Sequence, residues 1–202
     1  MLSTKRKGLV IMLIRYRQAI KLSLLGVLLA ITTLSHAAEI KNVQFNDSVT
    51  VDQYVLKIKG VAILKWAMLF DVYAGAFYLP EGAQGRSWSD DLPKSLELSY
   101  FREITGADFA ETSYKLLQRN LTKPAYQAVA ERLRIFCNLF QDIKPGDRYS
   151  LNYTPGTGTE LRLNGLPLGS VPGADFAVAY FGIWLGDTPI NDNFRDRLLA
   201  YQ

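Results

Sequence analysis

Residues 61–79 read VAILKWAMLFDVYAGAFYL, and sixteen of these nineteen residues are apolar, the exceptions being Lys65, Asp71 and Gly75. Such a run forms either a membrane-crossing helix or a pair of buried strands. In a helix, Asp71 would stand near the bilayer centre and Lys65 about a turn and a half away, each adding roughly 2.5–3.5 kcal/mol to insertion. Buried strands are the expected outcome. On the N-terminal side, Val49, Val51 and Val55 share one parity and Tyr54, Leu56 and Ile58 the other, and on the C-terminal side SLELSYF (95–101) again reads as a strand. Three or four strands are expected over residues 39–101.

After Thr105 and Gly106 the apolar period becomes helical, with Phe109, Leu116, Leu117 and Leu121 on one face and Thr105 or Asp108 as the cap. A second helix starts near Thr122 and Lys123, carries Pro124 in its first turn, and places Tyr126, Val129, Leu133, Phe136 and Phe140 in one apolar stripe. Strands return in DRYSLNYT (147–154), ELRLNG (160–165) and PLGSV (167–171), separated by a TPGTGT turn and by Asn164-Gly165. A very apolar helix from Asp175 to Leu185 stops at Gly186, and an amphipathic one follows from about Asn191 to Tyr201. Neither linker nor repeat interrupts this order. One α+β domain over residues 39–202 is the economical reading.

Residues 1–38 are different. They contain Lys5, Arg6, Lys7, Arg15, Arg17 and Lys21 and no acid, then the apolar stretch Leu22–Leu34, then SHAAE (35–39). This is the pattern of a secretory signal, cleaved near Ala37 or Ala38, with translation starting at Met1 or Met12. Thirteen residues fall short of the ~20 that a spanning helix needs, so no membrane span is expected after cleavage. A periplasmic or secreted protein follows. Removing those six from the 23 basic residues leaves 17 against 19 acidic ones, a net charge of −2. The domain therefore lacks the basic footprint of a nucleic-acid binder.

The one histidine, His36, falls in the cleavage region, which removes histidine-based triads, general bases and metal ligands from the domain. Cys137 is alone, and its setting in RLRIFCNLF reads as a buried structural thiol. The aspartates lack the compact spacing of a calcium loop, and TPGTGT lacks a phosphate-loop lysine. No metal and no cofactor are expected.

Lys65 is the residue that asks for an explanation. A lone ammonium among apolar strands is expensive unless an acid or a ligand anion meets it. One account pairs it with Asp71, six residues on and of the same strand parity, or lets its head reach solvent. The other makes it the polar end of a ligand site.

The stretches DVYAGAFYLPEG (71–82), LELSYFREITGADF (96–109) and YQAVAERL (126–133) resemble the chalcone isomerase-like superfamily, in an order and spacing that extend the likeness from about Asp52 to Asp196. That group includes plant chalcone isomerases, plastid fatty-acid-binding relatives and secreted bacterial homologues. The resemblance implies an antiparallel sheet with helices layered on one face, an open-faced sandwich, and an apolar cleft between the layers. With the alignment held without gaps, the family's ligand-facing arginine falls on Lys65, the tyrosine at that strand's end on Tyr78, and the helix tyrosine on Tyr126. Lys65 and Tyr78 would then clamp a carboxylate, although a lysine offers a point charge where arginine offers a planar fork. They are thirteen residues apart, so sharing a pocket requires a turn or bulge between them. The polar positions that plant isomerases use on their helices are matched by Leu133 and Ile183, which argues against isomerase chemistry. The expectation is a non-catalytic secreted protein that binds a fatty acid or similar apolar carboxylate. A protein-interaction module of the cell envelope and an intramolecular lyase are the alternatives.

Overall fold

The apolar run contributes to two long strands, the longest among the described residues. The computed structural model describes residues 38–66 and 69–199, so the expected leader and its cleavage point lie outside the described residues, save Ala38, which opens the first strand. Strands β1 (Ala38–Ile40), β2 (Val43–Phe45), β3 (Ser48–Val51), β4 (Tyr54–Trp66), β5 (Phe70–Pro80) and β6 (Lys94–Tyr100) precede the helices. This is six strands, where the alternation alone gave three or four. Lys41 and Asn42, at φ 50° and 64°, cut the first two to three residues each, too short for a period to show. Helices α1 (Gly106–Asn120) and α2 (Lys123–Cys137) follow, then β7 (Arg148–Thr154), β8 (Gly158–Leu163), β9 (Leu166–Val171), α3 (Ala174–Leu185) and α4 (Asp192–Leu198).

Strands β3 to β9 form a seven-stranded sheet in sequence order, each neighbouring pair antiparallel. Side chains of the four helices among the described residues join the sheet's Tyr73, Phe77, Leu79, Leu96, Leu98 and Leu161 in the main core. The opposite face holds a smaller core of Phe45, Val51, Leu56, Ala74, Ala76 and Tyr78, to which the β1–β2 hairpin contributes. The protein is thus α+β, with an antiparallel sheet and helices on one face.

The helices begin where their caps place them. Thr105 caps α1, and Asp108 completes a capping box, while Thr122 caps α2 ahead of Pro124. Phe140 lies three residues beyond the end of α2, yet its ring still stacks on Phe109 at 5.1 Å. Cys137 is buried, and that burial pushes its thiol up to about 11, as befits a structural group. Helix α3 is apolar nearly all round because most of it is buried, and Arg132 of α2 holds its first turn through two bonds of 2.6 Å to Asp175. At Gly60 an added Cβ would stand 2.0 Å from the Arg197 carbonyl oxygen, so the C-terminal helix packs on β4 only if no side chain intervenes.

Lys94 is fully buried. Its ammonium donates to the carbonyls of Trp88 and Asp90, each at 2.7 Å, and lies 5.0 Å from the centre of the Tyr153 ring. It therefore ties the 3₁₀ turn Gly85–Ser89 to the sheet. Burial lowers its pKa to about 8, against the ordinary 10.5. Because the folded value is the lower one, the unfolded chain holds the extra proton between them, and this residue's contribution to stability rises with pH across that window. Lys94→Met is expected to lower the unfolding free energy at pH 7 by about 1–3 kcal/mol, since two carbonyls lose their donor. Urea unfolding at pH 7.5 and 9.5 checks the coupling: the native protein should gain on the variant at the higher pH, and an unchanged gap would contradict it.

Candidate functional site

Three neighbouring strands place tyrosines side by side at one end of the helix-covered face. Tyr73 on β5 stands directly opposite Tyr100 on β6, and Leu98, two residues before Tyr100, stands opposite Tyr149 on β7. Their rings meet edge to face, at 5.3 Å for Tyr73 and Tyr100 and 6.0 Å for Tyr100 and Tyr149. Opposite them, α1 presents Phe109, Thr112, Ser113 and Leu116, and α3 presents Tyr180, Ile183 and Trp184. Between the two layers is a partly open cavity of about 320 Å³, floored by Leu96, Leu98, Leu151 and Leu161. That volume is at the lower end of the ~300–1,000 Å³ common for small-ligand sites.

Hydrogen bonds hold the helices over the cavity. The Trp184 indole N–H donates to the Tyr73 hydroxyl at 2.9 Å, which joins α3 to β5. Ser113 on α1 donates to the Phe109 carbonyl at 2.8 Å and shares a 2.8 Å bond with the Tyr180 hydroxyl on α3. Tyr149 donates to the Gln141 carbonyl and accepts from its N–H, both at 2.9 Å. Burial raises the pKa of Tyr73, Tyr100, Tyr149 and Tyr180 above the ordinary 10.0, so all four phenols are neutral at physiological pH.

Lys65 stands at the rim of this cavity, beside Leu64 and Val72. It is half exposed, and its ammonium is 2.8 Å from an Asp71 carboxylate oxygen. Lys41 takes the other oxygen of Asp71, so two cations share one acid, while Asp108 adds a second carboxylate to the cavity lining. A register shift between Leu64 and Lys65 brings Lys65 opposite Asp71, and thus both sequence-based accounts of this lysine meet here: it is paired, and a cavity lies beside it.

The structure does not bring Tyr78 or Tyr126 to Lys65. Tyr78 belongs to the smaller core on the other face of the sheet, fully buried, its hydroxyl without a partner among the described residues. It pairs with Ile58, seven residues along β4 from Lys65, or roughly 23 Å at ~3.3 Å per residue. The two cannot clamp one head group. Tyr126 lies on α2, away from the cavity lining, where its hydroxyl accepts from Gln118 at 3.2 Å. The tyrosine that does share the cavity with Lys65 is Tyr73, five residues before Tyr78 and of opposite parity on the same strand. Its parity with Phe77 and Leu79, both in the main core, was the signal that marks it.

The sequence profile of chalcone isomerase-like proteins matches residues 37–200. The chain belongs to the chalcone isomerase-like family. Its fold is shared by the crystal structure of an Arabidopsis thaliana fatty-acid-binding protein, at a TM-score of 0.66 and 16% identity, over 81% of this chain and 96% of the other. No curated protein sequence matches the chain. In this family member no helix among the described residues is long and apolar enough to cross a membrane, and no cluster there of histidine, cysteine, aspartate or glutamate suits a metal ion.

The Ser113–Tyr180 bond gives a direct test of how the roof is held. Ser113→Ala orphans a buried phenol and is expected to cost about 1–3 kcal/mol, whereas Tyr180→Phe removes the phenol itself and should cost about 0.5–1.5 kcal/mol. The double variant should then be no less stable than Ser113→Ala alone, measured by urea unfolding. Additive losses would mean that the two side chains act separately.

Proposed function

We propose that this chalcone isomerase-like protein is a non-catalytic carrier of a fatty acid or similar apolar carboxylate, with the chain between sheet and helices and the head group at the Lys65 rim. The observation that carries this reading is the junction of the Lys65 ammonium with an apolar cavity. A chain of about fourteen buried methylenes would contribute roughly 11 kcal/mol at ~0.8 each, before association costs of ~4–15 kcal/mol. Most of the affinity then comes from the tail, which tolerates a lysine in place of a bidentate arginine. The fold shared with a plant fatty-acid-binding protein supports the reading, and so does the placement of Leu133 and Ile183 where an isomerase would need polar groups. The N-terminal pattern of six bases followed by an apolar stretch supports export, so the carrier would act in the periplasm or outside the cell.

In this arrangement Tyr73 supports the head group. Its oxygen accepts from Trp184, which leaves its own O–H free to donate to a carboxylate. Lys65 attracts the anion, since Asp71 is shared between two lysines and neutralises only one of them, whereas Asp108 of the lining opposes it.

The test is displacement of a fluorescent fatty acid by dodecanoic acid and by dodecanol. Lys65→Met should weaken the acid about tenfold and leave the alcohol unchanged, and equal losses for both would remove Lys65 from the head-group site. Ile183→Trp, which fills the cavity, should abolish binding of both while the protein stays folded by circular dichroism. Undiminished binding by that variant would place the ligand elsewhere.

A further inference from the structure

The tyrosines around the cavity do not all have somewhere to send their protons. Ser113 has one hydrogen, and it goes to the Phe109 carbonyl, so Tyr180 is the donor in their shared bond. Tyr149 has given its proton to the Gln141 carbonyl. Tyr73 accepts from Trp184, and its own O–H meets no acceptor among the described residues. Tyr100 neither donates nor accepts among them. The cavity thus contains two adjacent phenols with unspent donors, 6% and 3% exposed. Neither hydroxyl is among the fully enclosed polar atoms that lack a partner, and both residues line the cavity, so each O–H opens on it and can meet an acceptor there.

Lys65, Tyr73 and Tyr100 lie on three successive strands, β4, β5 and β6. Tyr73 stands directly opposite Tyr100, a step of about 4.8 Å across the sheet, and Lys65 stands opposite Asp71, two residues from Tyr73 on β5. A carboxylate held at Lys65 and Tyr73 therefore leaves Tyr100 one step further along the chain, near the separation between a carboxylate oxygen and an oxygen on the third carbon. A plain alkyl chain would leave that phenol unsatisfied. We propose that the ligand is an oxygenated acyl carboxylate, with a hydroxyl or keto oxygen near the head group that accepts a hydrogen bond from Tyr100, and that Tyr100 is the residue selecting it.

This rests on the carrier reading but can fail separately from it. The experiment is displacement of a fluorescent fatty acid from the native protein by dodecanoic, 3-hydroxydodecanoic and 3-oxododecanoic acids, repeated on Tyr100→Phe. In the native protein at least one oxygenated acid should bind about tenfold tighter than dodecanoic acid. In Tyr100→Phe that ratio should fall to about one, because a plain chain no longer leaves a phenol unsatisfied. Equal affinities in the native protein, which need no variant to observe, would overturn the proposal and leave the carrier reading standing. So would an advantage that survives in Tyr100→Phe. If none of the three acids displaces the probe, the carrier reading falls and this inference falls with it.

Discussion

Two side-chain hydrogen bonds decide whether this fold has an interior or merely a core. Trp184 to Tyr73 fixes α3 to the sheet, and Tyr180 to Ser113 fixes α3 to α1. A helix as apolar as α3 would otherwise settle onto the leucines of β6, β7 and β8 and close the space beneath it. Each bond has a bulky aromatic partner, so satisfying the polar tip holds α3 about a ring's width from β5 on one side and from α1 on the other. The cavity follows from polar groups that must be met, not from a shortage of apolar residues to fill it.

The polar end is built differently. Asp71 and Lys65 face each other across the β4–β5 pair, and Lys41 arrives from the turn between β1 and β2. Surface ion pairs of this kind add little to stability, typically about 0–1 kcal/mol. Their consequence is electrostatic: an acid flanked by two bases orients both and cancels only one. An approaching anion meets the Lys65 ammonium ahead of a mostly apolar cavity.

Much of this was legible in the residues. The alternations around Val51 and Leu56, the caps at Thr105 and Thr122, and the stripe from Val129 to Phe136 specified the order of strands and helices, and the cost of burying Lys65 and Asp71 in lipid turned the long apolar run into a hairpin. Pairing of Lys65 with Asp71 was one of the two accounts the sequence left open, and it arises across the β4–β5 pair through a register shift, not from shared parity along one strand. What could not be read was which of two tyrosines on β5 faces the helices. Tyr73 and Tyr78 are both flanked by apolar residues, because a strand buried on both faces loses its alternation. The contribution of Tyr100, Tyr149 and Tyr180 was equally hidden, since their convergence depends on register between distant strands and on the seating of α3. Lys94, whose ammonium donates to two backbone carbonyls, left no trace in spacing at all.

The most direct measurement of the central claim is a crystal structure of the protein with an acyl carboxylate bound. The account predicts a single chain lying between β5–β8 and helices α1 and α3, its carboxylate within hydrogen-bonding distance of the Lys65 ammonium or the Tyr73 hydroxyl. An acyl chain seated on the opposite face of the sheet, or a cavity left empty at saturating ligand, would contradict it.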